Sequence, residues 1–465
     1  MKKIYALCLL SPIAAHAAGS SGAVFSAWWS LPFAGLLLSI AVLPLLSPAF
    51  WHAHFGKISA GWALLLLVPL GITADPATAW ATLAHALIEE YIPFIVLLTA
   101  LYTVAGGICL HGRLRGSPAL NTAILAFGAG LASVTGTTGA AMLLIRPLLR
   151  ANEHRARLVH VVVFFIFLVA NAGGALSPLG DPPLFLGFLS GVDFFWTTRH
   201  LLLPTLFVCG VLLGLFYVID HLEFARHPAP PRTQPAGPVH LSLDGRVNLV
   251  LLGAIIALVL ASGMWRPGVV FVLGGAQLAL QNLVRDVLLI AVILLSLRYT
   301  PRSARLGNAF TWAPIVEVAK LFAAIFVTIA PVIAILRAGP AGAFAPLLRL
   351  VQDPHGQPLA PMYFWATGML SSFLDNAPTY LVFFNSAGGD ATQLMGAGAA
   401  TLAAISAGAV FMGGNSYIGN APNFMVKSIA EARGVAMPSF FGYLVWSGCI
   451  LLPVFGLTTL LFFRG

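Results

Sequence analysis

Two long apolar runs in this chain are broken in the same way. Between Val159 and Leu189 the interruption is Asn171-Ala-Gly-Gly-Ala-Leu-Ser177-Pro-Leu-Gly180-Asp181-Pro182-Pro183, and between about Thr401 and Ile429 it is Gly413-Gly414-Asn415-Ser416-Tyr-Ile-Gly419-Asn420-Ala421-Pro422-Asn423. Both contain S-x-x-G-D/N-x-P. A helix interrupted inside a bilayer frees N–H and C=O groups that lipid cannot satisfy, so each break must sit against protein or a wet cavity.

That argument needs a membrane, and the composition supplies it. Of 465 residues, 59% are hydrophobic and 8% charged, which is outside the range of soluble domains and indicates a polytopic membrane protein. The formal net charge of +9 does not indicate nucleic acid, because the Lys and Arg residues are scattered between apolar runs. Cys8, Cys109, Cys209 and Cys449 show no C-x-x-C spacing, so neither a disulfide framework nor a zinc site is indicated. His52 and His54 form the one close His pair and are assigned no metal.

Residues 1–18 read as a signal peptide, with Lys2 and Lys3, the apolar Ile4 to Leu10, and small residues ending at Ala17-Ala18. Spans are expected near 28–47, 58–73, 85–107, 159–190 (interrupted), 199–220, 247–264, 269–298, 312–337, 396–432 (interrupted) and 438–463. Two further apolar stretches, 117–148 and 361–387, carry Gly, Thr, Asp and Pro at their middles and read as re-entrant hairpins. Lys57, Arg113, Arg115, Arg146, Arg150, Arg155, Arg157, Arg226, Arg232, Arg246, Arg298, Arg302, Arg305, Lys427 and Arg433 fall on one side of this layout. The other side carries Arg199, Arg266, Arg285, Arg337, Arg349 and Arg464. The excess marks the cytoplasm and leaves both termini periplasmic.

The Pro-rich segment 221–246 is a cytoplasmic linker that separates five spans in 19–220 from five in 247–465. An odd repeat must insert its second copy upside down. The expected fold is therefore all-α, with ten transmembrane helices and two re-entrant hairpins in two inverted repeats with broken helices. Paired interrupted segments in two halves are the sequence mark of a secondary transporter's binding site.

Gly180-Asp181-Pro182 reads as a helix restart, with Asp181 as N-cap and Pro182 at the first helical position. Asn420-Ala421-Pro422 and Asp375-Asn376-Ala377-Pro378 read likewise. Asn or Ser would cap as well as Asp, while a carboxylate within a span costs about 3 kcal/mol, so Asp181 and Asp375 are taken as site residues. A carboxylate away from water takes up a proton or holds a metal cation such as sodium, not both at once. Thr137 and Thr138 at the first hairpin tip, with Asn171, Ser177, Asn376, Asn415, Ser416 and Asn420 at the breaks, complete the candidate ion and substrate site. Glu89 and Glu90, before Tyr91-Ile-Pro93, are candidates for a proton relay. Glu317 and Lys320, three apart on one helix face, read as a neutralising pair.

The segments Asn171-Ala-Gly-Gly through Gly180-Asp181-Pro182-Pro183 and Ser371-Ser-Phe-Leu-Asp375-Asn376-Ala-Pro378-Thr resemble the ion transporter superfamily. The nearest branches are NhaD-type sodium:proton antiporters, arsenite efflux carriers and the citrate transporters. The resemblance implies a homodimeric secondary carrier with a scaffold and a transport domain, with Asp181, Asp375, Asn376, Asn171, Asn415 and Asn420 lining the site. Antiporter-like members tend to carry an Asp-Asn pair in both hairpins, whereas the first hairpin here has Gly136-Thr137-Thr138, which leaves room for a carboxylate held by hydroxyls and half-helix N-termini. The reading is a bacterial inner-membrane carrier, not an enzyme, exchanging sodium for protons; the alternative is sodium- or proton-coupled uptake of citrate or a related carboxylate. No cofactor is expected beyond these coupling ions, and the expected partners are lipid, a small ion or carboxylate, and a second copy of the chain. An intramembrane aspartyl protease is the remote alternative, but its G-x-G-D motif fails because Pro178 stands two before Gly180.

Overall fold

A computed structural model of the chain describes residues 25–73, 76–112, 114–227 and 242–464. The expected signal peptide lies outside these residues, as does 228–241 of the linker. The chain is helical almost throughout, and it is a multi-pass membrane protein. Ten of its described helices are long and apolar enough to cross a bilayer.

The first half runs α1 (Leu31–Leu46), α2 (Pro48–Thr73), α3 (Pro76–Ala84) and α4 (Ile92–Ala105), the last two joined by a π-helical segment at His85–Tyr91. A short strand β1 (Cys109–His111) leads to a helical hairpin, α5 (Pro118–Thr135) and α6 (Thr137–Ala151). The first broken helix follows as α7 (Val159–Leu168), a 3-10 turn at Ala172–Leu176, and α8 (Pro182–Leu189); α9 (Trp196–Arg226) closes the half.

Strand β2 (Ser242–Asp244) pairs antiparallel with β1, with Cys109 opposite Asp244, so the chain leaving the linker is tied to the end of α4. The second half has α10 (Val247–Met264), β3 (Val270–Leu273), β4 (Ala276–Ala279), α11 (Leu280–Tyr299), α12 (Arg302–Gly307), α13 (Ala313–Arg337) and α14 (Ala345–Leu348). The second hairpin is α15 (Ala360–Phe373) and α16 (Asn376–Ser386), followed by α17 (Ala391–Met395). The second broken helix is α18 (Ala399–Met412), a 3-10 turn at Gly413–Asn415, and α19 (Ala421–Glu431), before α20 (Phe440–Phe462).

Burial separates two kinds of helix. The window Val159–Leu176 is 89% buried, whereas that of α2 is 17% buried. Lipid accepts the bare flanks of α2, but the backbone freed at a break must be enclosed by protein. The enclosure is crossed between halves: α8 packs against α16, and α19 against α6. Helices α4 and α13 flank this core, contacting α6 and α16 respectively.

Three sequence expectations need correction. The span expected at 269–298 begins only at Leu280, because Val270–Ala279 folds as a β-hairpin. Its turn is Gly274-Gly275, with φ of 61° and 93°, the backbone that two-residue hairpin turns require and that glycine supplies without steric cost. The ten long apolar helices also differ from the ten expected, since α5 qualifies by length while the halves of the second broken helix are each too short. The Glu317 to Lys320 pairing is absent among the described residues. Glu317 meets the Trp51 side chain and faces His52, and Lys320 Nζ lies over the Phe55 ring at 5.3 Å.

Candidate functional site

Each break is held by a serine from the hairpin and a serine of its own. Ser133 of α5 donates to the Gly173 carbonyl at 2.5 Å and accepts from Leu176 N–H at 3.1 Å, while Ser177 donates to the Ser133 carbonyl and accepts from Leu179 N–H at 3.1 Å. In the second half the Ser372 hydroxyl has two acceptors in reach, the Gly368 carbonyl of its own helix at 2.7 Å and the Met412 carbonyl at 3.2 Å. Ser416 donates to the Ser372 carbonyl at 2.5 Å and accepts from Ile418 N–H at 3.2 Å. Ser133 and Ser372, Ser177 and Ser416, Gly180 and Gly419, and Asp181 and Asn420 all recur at one constant spacing along the chain. Thr137 and Asn376, the first helical residues after the two hairpin tips, keep that spacing too.

Gly180 and Gly419 are required by close approach. A Cβ on Gly180 would lie 2.1 Å from the Gly174 carbonyl oxygen, and one on Gly419 would lie 2.6 Å from the Gly413 and Ser371 oxygens. No other residue lets the chain fold back this tightly.

The N-termini of α6, α8, α16 and α19 meet at Asp181. Its Oδ1 accepts from Thr137 Oγ1 at 2.9 Å and from Asn420 Nδ2 at 3.1 Å, and its Oδ2 accepts from Asn376 Nδ2. Asp181 occupies the N-cap position of α8, yet its side chain caps no N–H. Asp375, by contrast, caps α16 by accepting from Ala377 N–H at 3.1 Å. The sequence treated the two aspartates alike, and they differ: one serves its helix and the other is given over to side chains from both halves.

A cavity of about 90 Å³ opens beside them, lined by Thr137, Thr138, Asp181, Asp375 and Asn420 on one wall and by Leu97, Phe322 and other apolar side chains of α4 and α13 on the other. No Lys or Arg lines it among the described residues. Positive potential comes instead from the helix N-termini, each equivalent to about half an elementary charge. Asn376 Oδ1 is buried with no hydrogen-bond partner among the described residues. An unpaired buried acceptor among carboxylates and hydroxyls fits a hard cation, for which oxygen donors are the preferred ligands.

The remaining predicted residues shape the breaks. Asn171 joins them, donating to Asn423 Oδ1 at 2.7 Å and to the Ile166 carbonyl at 2.8 Å, and accepting from Asn420 at 3.3 Å. Asn415 donates to Ser372 at 2.9 Å, and its Oδ1 is also buried and unpaired among the described residues. Asn171, Ser177, Asn376, Asn415 and Ser416 stand outside the cavity wall. Glu89 and Glu90 lie in the π-helical segment, away from that wall; Glu89 accepts from Gln277 N–H at 2.6 Å and so anchors the β-hairpin.

Two features escaped the sequence reading. Asn423 donates to the Gly413 and Ser416 carbonyls, both at 2.8 Å; it stands inside the quoted motif, where it was assigned no role. Asp220, fully buried, accepts from Arg155 at 3.0 Å and Asn121 at 2.9 Å and meets His160 at 2.7 Å. An Asp inside the apolar α9 was the signal, and its partners are too distant in sequence to be read.

Comparison with protein families gives one match. Residues 22–463 match the family model CitMHS_2, described as "Putative citrate transport". The chain belongs to that family. The CitMHS_2 match takes in both hairpins, both breaks and the cavity between them, and it makes this a membrane protein of a transporter family. No curated protein matches the chain.

Proposed function

We propose that this protein carries citrate or a related small carboxylate across the membrane, coupled to sodium bound at Asp181 and Asp375. The observation that carries the reading is the meeting of four helix N-termini around a cavity lined by two carboxylates, with the buried amide of Asn376 bonded to one of them. The N-termini favour an anion and the oxygens favour a cation, so the two ligands stabilise each other when they occupy the site together. The family description supports the organic anion over simple exchange of sodium for protons.

In this mechanism Asp181 is fixed by its three donors, and Asp375 with Asn376 Oδ1 supplies oxygen ligands to the cation. Thr138 and the N–H groups at the starts of α6 and α19 then face the anion. Movement of the hairpins and broken helices against α4 and α13 exposes the cavity to either side in turn. The Lys and Arg excess at the linker end supports a cytoplasmic linker and periplasmic termini, in a bacterial inner membrane. The halves are read as inverted repeats, with a second copy as the dimer partner.

Purified protein in liposomes containing an internal pH dye tests this. Uptake of labelled citrate driven by an inward sodium gradient is expected. A sodium-driven pH change that needs no organic anion, with no citrate uptake, would replace the proposal with sodium:proton exchange.

A further inference from the structure

A second cavity, of about 460 Å³, lies at the end of the molecule opposite the linker, where α8 ends, α9 starts, α10 ends and α11 starts. Three arginines line it, Arg199, Arg266 and Arg285, with Asp193 the one carboxylate among the described lining residues. Arg199 and Arg266 are exposed, whereas Arg285 is 2% exposed. Arg285 Nε donates to Asp286 at 2.8 Å and Nη1 to Asn282 at 3.2 Å, but Nη2 is buried with no partner among the described residues.

Such an arrangement is costly unless a ligand completes it. A buried donor without an acceptor forfeits its solvation, and more so when it is charged. Asp286 and Asn282 hold the guanidinium plane in place, so one further acceptor would bind without reordering the side chain. The Arg285 guanidinium also lies 6.0 Å from the Phe185 ring, and Phe185 lines the Asp181 cavity. Phe185 thus lines the Asp181 cavity and lies beside the Arg285 anchor of the second.

We propose that this pocket binds a small polycarboxylate, with Arg285 as its buried anchor and Arg199 and Arg266 as recruiting charges, and that the substrate stops here before reaching the Asp181 cavity. The inference rests on the carboxylate reading above. It places arginine recognition outside the transport site, whose described wall has none, and makes recruitment sensitive to ionic strength because exposed arginines act over roughly a Debye length.

Citrate titration of the purified full chain in sodium-free choline buffer isolates the pocket from the cation-dependent site. Wild type is expected to bind. The exposed pair Arg199→Gln/Arg266→Gln, and Arg285→Gln/Asp286→Asn, which removes anchor and counter-ion together, should each weaken binding about tenfold or more. Uptake by the exposed pair should show a raised KM for citrate with Vmax within about twofold, the signature of lost recruitment. Unchanged affinity in both variants, or no sodium-free binding in wild type, would overturn the proposal. Displacement of citrate by phosphatidylglycerol, with lipid retention that depends on Arg285, would make a lipid headgroup the occupant and overturn it equally. Arginine-dependent binding without any citrate uptake would remove the transport reading and leave the pocket standing; sodium-driven citrate uptake with arginine-independent binding would do the reverse.

Discussion

At the first break the pair Ser133 and Ser177 closes the gap between α5 and α8, and at the second the pair Ser372 and Ser416 does the same between α15 and α19. The frames match, but their contents do not. The first frame presents Asp181, its two oxygens taken by three donors, of which Asn376 and Asn420 come from the other half. The second presents Asn420 in the equivalent place, moves its carboxylate to the hairpin tip at Asp375, and leaves Asn376 Oδ1 and Asn415 Oδ1 unpaired. Two like frames thus hold an unequal site, with a carboxylate that accepts three side-chain donors on one side and spare amide acceptors on the other. Binding a cation asks for spare acceptors, so the second half is where sodium should add most.

The largest effects should come from exchanging the paired residues Asp181 and Asn420. Asp181→Asn leaves one oxygen for three donors and should lower stability by about 1–3 kcal/mol while reducing citrate uptake to background. Asn420→Asp removes a donor and sets a second carboxylate against the first, and should express worse still. The double exchange Asp181→Asn/Asn420→Asp restores one carboxylate facing amides. Its thermal stability in detergent should exceed that of the Asn420→Asp single variant, and a double variant less stable than both singles would break the equivalence of the two frames.

Next come the glycines. Gly180→Ala drives a Cβ against the Gly174 carbonyl, a backbone group with no rotamer to yield, and should cost about 1–3 kcal/mol with loss of uptake; Gly419→Ala should behave alike but less severely, given its 2.6 Å approach against 2.1 Å. Thermal stability and uptake at matched protein levels check both.

Asp375 separates capping from ion binding. Asp375→Asn keeps the cap on α16 and should change stability by less than about 0.5 kcal/mol, whereas Asp375→Ala should lose about 1 kcal/mol. Both should lose the dependence of uptake on sodium. Sodium dependence retained in the Asn variant would show that Asp375 is a cap alone. The frame serines should change stability without abolishing the dependence of uptake on sodium. Ser416 accepts from both Ile418 and Gly419 N–H, and Ser177 from Leu179 alone; Ser416→Ala should therefore cost more than Ser177→Ala by about 0.5–1.5 kcal/mol.

Much of this was legible in the chain, for stated reasons. The span 247–264 coincides with α10, because a run without Pro or charge, and with its polar Asn248 and Ser262 only near the ends, admits one structure in lipid. Both breaks were visible as Gly, Ser and Pro inside apolar runs. Val269 to Leu273 misled because β-branched apolar residues before a helix look like its first turn, and only Gly274-Gly275 marked the hairpin. At the site, residue types were readable but roles were not. Asp181 and Asp375 both precede a helix, and what frees one from capping is the set of donors brought from Thr137, Asn376 and Asn420 by tertiary packing. Arg285 was noted only as a loop-side charge, since nothing local reveals that it turns inward beneath Phe185.

Citrate affinity measured against sodium concentration, on purified wild type and Asp375→Asn, tests the central claim most directly. If the anion and the cation share one site, wild-type affinity should rise steadily with sodium, as linkage requires, and the curve for Asp375→Asn should be flat at the sodium-free value. Equal sodium dependence in the two proteins, or citrate affinity in wild type that ignores sodium, would contradict it.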